Sequence, residues 1–268
     1  MPELPEVESV RRQLHPRLAG RVVHRVTVDP QARFGAVELL AGRRIVGVGR
    51  RGKYLVAPLD GGLDLILHLG MTGSFRFRGG PDGWRPDPYV RATFELEDAV
   101  MDFRDVRRFG RVAVVPTADY GSIPTLAALG PEPLTEEFQP AAFHRALAAT
   151  RMAVKPALLS QRLVAGVGNI YADEALWRAR ISPFARRLSR TRTDRLWLAI
   201  REVLAEAIER EGTTFRDFQM VNGESGRNAN HLVAYGQVGR PCPRDATPLR
   251  KVVLGGRGTT YCPRCQRA

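Results

Sequence analysis

Residues 129–133 read Leu-Gly-Pro-Glu-Pro, and they lie in a connection, 116–135, at which the hydrophobic pattern of the chain changes. Before it, short apolar runs punctuated by Gly, Pro and Asp are typical of antiparallel strands. After it, apolar residues recur at helical spacing. The predicted strands are 21–28, 43–50, 53–59, 63–69, 74–78, 91–97, 100–103 and 111–115. The predicted helices are 3–15, 140–149, 155–163, 170–179 and 193–211, with 213–219 as a weaker candidate.

These patterns predict an α+β multidomain protein. Segment 1–116 is expected to form an antiparallel β-sandwich with a flanking helix, and 117–135 a linker. Segment 136–234 is expected to be helical. Segment 235–268 is rich in Gly, Pro and Cys and is expected to form a small ribbon with short strands.

The charge of the chain indicates a polyanionic partner. Its 41 Lys and Arg against 28 Asp and Glu leave a formal charge of +13, and the calculated pI is about 10.7. Nucleic acid is the commonest such partner. A solubilising surface, a ribosome-associated protein and a membrane-surface protein remain alternatives on composition alone. No apolar run approaches the roughly 20 residues of a membrane span, and the acidic, prolyl start does not resemble a signal peptide.

The first residues after Met1 carry a candidate nucleophile. If Met1 is removed, Pro2 has a secondary amine with an ordinary pKa of roughly 7.7–8.0, so part of it is neutral near pH 7. A neutral amine can attack a sugar carbon and form an iminium, and Glu3 beside it can act as acid and base. The alternative is that Pro2 and Pro5 merely start a helix.

Four glycine-containing loops offer further candidates. In 164–171 (VAGVGNIY), paired glycines permit close backbone approach and Asn169 can cap the next helix, where phosphate binds well. Met71 and Phe109 each lie in a glycine-flanked turn between strands; they either fill the core or act as wedges between bases. In 255–260, Arg257 projects from a Gly-rich turn, suited to phosphate or simply solvated.

All three cysteines lie near the carboxy terminus, in CPRD (242–245) and CPRC (262–265). Two such hairpins frame a tetrahedral zinc site, and clustered cysteines in a chain without a signal peptide indicate a reducing cytoplasm. The second ligand position holds a carboxylate, Asp245. The expected ligands of one structural Zn²⁺ are Cys242, Asp245, Cys262 and Cys265; the alternative is a metal-free hairpin held by packing.

Taken together, these motifs resemble the formamidopyrimidine-DNA glycosylases, the Fpg/MutM group, over nearly the whole chain. The motifs that carry the resemblance are 2–8 (PELPEVE), 51–55 (RGKYL), 68–73 (HLGMTG), 107–110 (RRFG), 166–172 (GVGNIYA) and the C-terminal ribbon. The resemblance implies a helix–two-turns–helix in the helical domain and a zinc-ribbon-like β-hairpin at the end.

The resemblance also implies a role for each matching residue. Pro2 would be the Schiff-base nucleophile at C1′, Glu3 the acid and base, Lys53 the lysine that supports β-elimination, and Arg257 the arginine that clamps phosphates and serves δ-elimination. The residues expected to contact DNA are Met71, Tyr89, Arg107, Phe109, Arg151 and Asn169. Met71, Arg107 and Phe109 would fill the void left by a flipped base, while Glu6 and Glu174 would line the lesion pocket.

Three positions depart from the family pattern. Asp245 replaces a cysteine, Tyr89 replaces a frequent histidine, and 226–228 (GRN) replaces a common Gly-Tyr-Phe in the loop around 213–231. The first bears on zinc, and the other two bear on lesion preference and local DNA contacts.

The expected activity is therefore that of a bifunctional DNA glycosylase and abasic-site lyase. It would excise 8-oxoguanine and formamidopyrimidines from duplex DNA and then carry out β,δ-elimination. The alternatives are an endonuclease VIII-type enzyme for oxidised pyrimidines and a non-catalytic DNA-binding paralogue. We further expect a bacterial, cytoplasmic, nucleoid-associated monomer with no membrane partner.

Overall fold

A computed structural model describes residues 1–32, 34–78, 87–215 and 218–267. The chain forms two units, residues 1–127 with 210–227 and residues 128–209 with 228–268. Residues 210–227 therefore lie with the strand-rich part, although they follow the last long helix in sequence. The segment boundaries given above stay predictions.

The first unit contains two antiparallel sheets, as expected. Its elements are α1 (Leu4–Leu18), β1 (Val22–Val28), a short 3-10 turn (Val37–Leu40), β2 (Arg43–Arg44), β3 (Gly49–Arg51), β4 (Tyr54–Leu59), β5 (Leu63–His68), β6 (Gly73–Arg78), β7 (Val90–Leu96), β8 (Val100–Asp105), β9 (Arg111–Pro116) and α2 (Pro124–Ala127). The strand orders in the described residues are β2-β1-β7-β8-β6 and β3-β4-β5-β9.

Apolar residues from both sheets form one core. Phe75, Phe94 and Phe103 come from the first sheet, and Leu55 and Leu67 come from the second. Each of these side chains is at most 1% exposed. The alternation of the strands thus buries one face of each sheet against the other, as in a sandwich.

The predicted strand 43–50 is wrong as a single strand. Its ends form β2 and β3, which belong to different sheets. Between them, Ile45 and Val48 are buried while Val46 is 62% exposed. The chain crosses from one sheet to the other here, because the core lies between the sheets and takes apolar side chains from both sides of the crossing.

Helix α1 begins with a capping box and runs three residues beyond the predicted end. The backbone N–H of Glu3 donates to Glu6 Oε2 at 2.7 Å. Pro16 lies inside the helix, where it removes one backbone hydrogen bond. Leu14 and Leu18 are both fully buried, and this burial keeps the last turn helical.

The second unit is helical with a terminal hairpin. It contains α3 (Pro140–Ala149), α4 (Val154–Leu159), α5 (Asn169–Arg178), α6 (Arg190–Glu209), a 3-10 turn (Asn228–His231), β10 (Arg250–Leu254) and β11 (Arg257–Tyr261). Helix α5 packs against α4, α6 and β11. The hairpin turns at Gly255 and Gly256, which both have positive φ (57° and 73°), as a two-residue type I′ turn requires.

The weaker helix candidate, 213–219, is wrong for its described residues, which are 213–215 and 218–219. Thr213 instead forms an isolated antiparallel bridge with Arg227. Across the described part of the chain, no helix combines the length and the apolar character that crossing a membrane would require.

Candidate active site and metal centre

The expected nucleophile and its acid lie buried at the start of α1. Pro2 is buried, and Glu3 is 2% exposed. Glu6 anchors them: one carboxylate oxygen accepts from the Glu3 N–H, and the other accepts from the Thr213 N–H at 2.7 Å. A Cβ on Gly212, which has φ +81°, would lie 2.8 Å from that second oxygen. The carboxylate of Glu6 therefore joins the Thr213 segment to the start of α1.

Lys53 lies in the two-residue turn between β3 and β4. Gly52, the first turn residue, has φ 56°, the position at which type II′ hairpin turns favour glycine. Lys53 is only 7% exposed. Arg50 links this turn to α1, because its guanidinium donates to the Gly52 carbonyl (3.0 Å) and to Glu8 (3.2 Å). Helix α1 also packs directly on β3 and β4.

Glu8 stays ionised in this arrangement. Burial alone would raise its pKa, but hydrogen bonds and ion pairs with Arg11 and Arg50 outweigh burial and hold the pKa below its usual value. The link between α1 and the Lys53 turn is therefore charge-assisted at neutral pH.

His68, to which the sequence analysis assigned no role, stays uncharged beside Lys53. Burial, with the nearby charges of Lys53 and Arg111, lowers its pKa from 6.5 to about 4. Its Nδ1 accepts a hydrogen bond from the Gly70 N–H at 3.1 Å, so the ring proton lies on Nε2. The imidazole packs on Tyr54, with ring centroids 4.6 Å apart. The sequence could have indicated a role for His68, because it is the first residue of the 68–73 motif.

A second unassigned residue, Asp105, joins the two turns that carry Met71, Arg107 and Phe109. Asp105 is 1% exposed. Its carboxylate accepts from the Thr72 hydroxyl, from the Arg107 N–H (3.2 Å) and from the Gly110 N–H (2.7 Å). Sequence reasoning missed it because a single aspartate at a strand end has no distinctive spacing.

The same two turns are in direct backbone contact. A Cβ on Gly70, which has φ +61°, would lie 2.5 Å from the carbonyl carbon of Phe109, so only glycine fits there. Phe109 is 57% exposed, and Arg107 Cζ lies 4.8 Å from its ring centroid. Core filling is thereby excluded for Phe109. Met71 is half-buried, which leaves both of its interpretations open.

Tyr89 and Arg151 both lie at the surface. Tyr89 is 39% exposed, and Arg104 Cζ lies 4.8 Å from its ring centroid. Arg151 is exposed and lies just before α4. A DNA contact by either residue stays a prediction.

In the second unit, Asn169 and Arg257 lie close together. Asn169 does not cap α5, contrary to the expectation: the N-cap is Gly168, and Asn169 is the first helical residue. Its amide instead donates to the carbonyl of Gly258 at 3.0 Å. Gly258 follows Arg257, which is exposed at the start of β11. Asn169 therefore binds the residue that follows Arg257, and the two expected phosphate contacts are held next to each other.

A fully buried ion pair supports that segment. Lys155 (0% exposed) and Asp173 (1% exposed) approach within 2.6 Å. Lys155 also donates to Gly258 O (3.0 Å) and to the Thr259 hydroxyl (2.9 Å), and Asp173 accepts from the Thr260 N–H (2.9 Å). Burial raises the pKa of Asp173 to about 6 even against the attraction of Lys155.

Glu174 anchors backbone in the second unit. Its carboxylate accepts from the N–H groups of Val233, Ala234 and Tyr235, the shortest at 2.8 Å. Burial raises its pKa, and these three N–H groups act in the opposite direction. The assignment of Glu6 and Glu174 to a lesion pocket stays a prediction, but both hold loops in place.

The four ribbon residues fit one structural zinc ion. Their ligand atoms all lie within 4.8 Å of one another. Cys242 Sγ is 3.8 Å from Cys265 Sγ, and Cys262 Sγ is 3.5 Å from the carboxylate oxygens of Asp245. Tetrahedral zinc with Zn–S of about 2.3 Å and Zn–O of about 2.0 Å requires S–S near 3.8 Å and S–O near 3.5 Å. The carboxylate therefore takes the place of a fourth thiolate.

Hydrogen bonds to sulfur support the same conclusion. The indole N–H of Trp177 donates to Cys242 Sγ at 3.5 Å, and the Cys265 N–H donates to Cys262 Sγ at 3.4 Å. Such outer contacts orient metal ligands.

Replacing Lys155 with Met should lower the free energy of unfolding in urea by about 3–5 kcal/mol, because it leaves Asp173 buried without its counter-ion. Lys251 provides the control, because it is exposed on β10 of the hairpin that Lys155 contacts. Lys251→Met should change the free energy of unfolding by less than about 0.5 kcal/mol. Equal losses in the two variants would contradict the role given to the buried pair.

Asp245→Ala should purify with less than about half of the zinc per chain that the unmodified protein holds, because a three-ligand site binds weakly. Asp245→Cys should restore full occupancy. Elemental analysis after dialysis measures both, and unchanged zinc in the alanine variant would show that the carboxylate is not a ligand.

Comparison with known proteins covers the whole chain. The family models described as "Formamidopyrimidine-DNA glycosylase N-terminal domain", "Formamidopyrimidine-DNA glycosylase H2TH domain" and "Zinc finger found in FPG and IleRS" match residues 1–112, 129–219 and 239–268. The formamidopyrimidine-DNA glycosylase of Thermus thermophilus is 47% identical over 270 residues, which cover 99% of this chain and 98% of that protein. The crystal structure of MutM (Fpg) from the same species has a TM-score of 0.92, with the same identity and coverage.

The fold is also similar to that of a second relative, whose structures were solved in complex with DNA. Lactococcus lactis Fpg bound to DNA containing N7-benzyl-Fapy-dG is 35% identical, with a TM-score of 0.90 and full coverage of both chains (100%). Its complex with DNA containing an abasic site is 34% identical, with a TM-score of 0.89 and coverage of 99% and 100%. By sequence, domain content and fold, this chain belongs to the formamidopyrimidine-DNA glycosylase family.

Proposed function

We propose that this protein excises oxidised purines, 8-oxoguanine and formamidopyrimidines, from duplex DNA and then cleaves the abasic site by β,δ-elimination. The observation that carries the proposal is the buried Pro2–Glu3 pair at the start of α1, in a chain whose relatives over its full length are formamidopyrimidine-DNA glycosylases. The formal charge of +13 and the DNA complexes of the Lactococcus relative support duplex DNA as the partner.

The proposed nucleophile is the amine of Pro2 after removal of Met1. It lies at the positive end of the α1 dipole, where a cation is disfavoured and the neutral amine is favoured. The amine attacks C1′, the bond from C1′ to the base breaks, and the base leaves with a proton. Glu3 is proposed to protonate the ring oxygen O4′, so that the sugar opens and an iminium forms at C1′.

The iminium then serves as the electron sink for strand cleavage. Loss of a proton from C2′ breaks the C3′–O bond and releases the 3′-side phosphate; a second elimination releases the 5′-side phosphate. We propose that Lys53 supports the first elimination, and that Arg257 with Asn169 holds the lesion phosphates. Zinc supplies no step in this scheme: its ligands hold the ribbon that carries Arg257.

The target base must leave the helix before it reaches Pro2, and this costs a few kcal/mol of stacking and pairing. We propose that Met71, Arg107 and Phe109 fill the vacated space, with Arg107 hydrogen-bonded to the unpaired cytosine. The exposure of Phe109 and its contact with Arg107 support this role. Tyr89 and Arg151 are proposed backbone contacts, and Glu6 and Glu174 are proposed to lie along the lesion pocket.

The relatives argue against the two alternatives. They are formamidopyrimidine-DNA glycosylases rather than enzymes of the endonuclease VIII type, and Leu4 follows Pro2-Glu3 here, where that group usually has Gly. A non-catalytic paralogue would have no need to retain Pro2, Glu3, Lys53 and Arg257 together. We propose a cytoplasmic, nucleoid-associated location, because the proposed substrate is DNA and the relatives are bacterial proteins. A monomeric state stays a prediction.

Borohydride should trap the processed protein on duplexes that carry 8-oxoguanine or an abasic site. Pro2→Gly should lower the trapping rate by at least about 100-fold, and a variant that retains Met1 should not trap, because its Pro2 nitrogen is an amide. Trapping at the normal rate with Met1 retained would disprove the terminal-amine mechanism. Preference for an oxidised pyrimidine would instead favour the endonuclease VIII type.

Asp105→Asn should loosen the two turns that carry Met71, Arg107 and Phe109. It should slow borohydride trapping on an 8-oxoguanine duplex by about tenfold or more. The effect on a duplex with a preformed abasic site should be smaller, because no base has to be flipped there. Asp102→Asn is the matched control, since Asp102 lies on the same strand and binds Arg78 and Thr93 instead. In the control variant, any loss of trapping rate should be the same on the 8-oxoguanine duplex and on the abasic-site duplex. The same substrate bias in both variants would exclude a specific role for Asp105.

A further inference from the structure

A cluster of arginines surrounds a cavity in the second unit, next to the zinc ligands of the ribbon. The cavity is about 650 Å³ in volume, with Asp245 and Cys265 in its wall. We call it the arginine pocket, after the six arginines that line it: Arg180, Arg192, Arg195, Arg244, Arg264 and Arg267. The function proposed above uses none of these six side chains.

Two of the six guanidinium groups are held by the fold. Arg244 stacks on Trp177, with Cζ 3.7 Å from the ring centroid, and donates to the carbonyls of Trp177 and Arg178 at the end of α5. Arg192 donates to the carbonyl of Arg267 at 2.6 Å. Burial, with the like charge of Arg195, lowers the pKa of Arg192. The fold therefore fixes these two guanidinium groups in the pocket wall.

The remaining four, Arg180, Arg195, Arg264 and Arg267, are exposed. Within the described residues, none of their guanidinium groups has a carboxylate within ion-pair distance. Neighbouring arginines that point elsewhere do find one: Arg190 pairs with Asp194 at 2.8 Å, and Arg178 with Glu206. These four guanidinium groups therefore have no ion-pair partner among the described residues, although Asp245 also lies in the pocket wall.

The zinc site does not neutralise this charge. Three thiolates and one carboxylate carry four negative charges against the two positive charges of Zn²⁺, which leaves about two negative charges. The C-terminal end of α5 adds about half a negative charge. Six guanidinium groups exceed this by more than three positive charges. Shielding of the metal site or of the helix end therefore accounts for part of the cluster only.

The pocket also lies apart from the expected lesion-phosphate contacts. Asn169 begins α5, whereas Arg180 follows its end, and a ten-residue helix is about 15 Å long. Arg257 begins β11, whereas Arg264 follows its other end, a distance of about 17 Å along a five-residue strand. Both elements therefore have one phosphate-binding candidate at each end.

We propose that the arginine pocket binds a small anion that carries several linked phosphate groups, of the nucleoside polyphosphate or inorganic polyphosphate class. Guanidinium forks match phosphate oxygens in pairs, and several cations around one concavity suit phosphates that are directly linked. The cavity volume lies in the range of small-ligand sites. The backbone of DNA presents single charges spaced along an extended strand, which arginines gathered around one concavity suit less well.

The test is calorimetric titration of the full-length, zinc-loaded protein with inorganic tripolyphosphate at 0.15 M salt. We expect saturable binding of one anion per chain. The double variant Arg195→Gln/Arg264→Gln should bind at least about tenfold more weakly, because it removes two exposed guanidinium groups that hold nothing else in the described structure. Arg190→Gln, the matched control, should bind as the unmodified protein does.

Zinc is measured after each titration, because tripolyphosphate itself binds zinc; heat that tracks zinc loss counts as no binding. Absent binding, or equal binding by the double variant, would overturn the proposal. So would a double variant that binds tripolyphosphate normally but binds a 30-base-pair duplex more weakly, which would assign the pocket to DNA backbone. Trapping on a short lesion duplex should be unchanged in the double variant, which separates this inference from the proposed catalytic function.

Discussion

The buried ion pair between Lys155 and Asp173 holds together α4, α5 and β11, and the last two carry the proposed phosphate contacts Asn169 and Arg257. Lys155 comes from α4, Asp173 from α5, and both bind the backbone or hydroxyl groups of β11. Burying two charges is costly unless each finds further hydrogen bonds, and here the hairpin supplies them. The result is that Arg257 and Asn169 are positioned by a pair that itself never reaches solvent.

The first unit follows the same principle with single carboxylates. Glu6 joins the start of α1 to the Thr213 segment. Asp105 joins the two turns that carry Phe109 and the other proposed wedge residues, Met71 and Arg107. Each carboxylate binds backbone N–H groups on separate segments. These two buried carboxylates thus hold loops together in the interior of the first unit.

The ribbon extends this division between fold and function. Its metal ligands, with Asp245 in place of a fourth cysteine, define the end of the hairpin opposite Arg257. The same end gathers arginines from α6 and from both ligand loops around one cavity. The ribbon itself therefore carries Arg257 at one end and Arg264 at the other, and the distance between them follows from the length of its strands.

The sequence by itself indicated the family, most of the strands and helices and the four candidate zinc ligands, because these depend on local periodicity, turn glycines and motif spacing. Only the tertiary structure decided that 43–50 crosses between sheets, that Asn169 serves the hairpin rather than the helix cap, and that His68 stays neutral. It alone identified Asp105 as the link between the wedge turns, and it alone assembled the arginine pocket. The physical reason is the same in each case: burial, hydrogen-bond partners and electrostatic neighbours come from residues distant in sequence, and no local pattern records them.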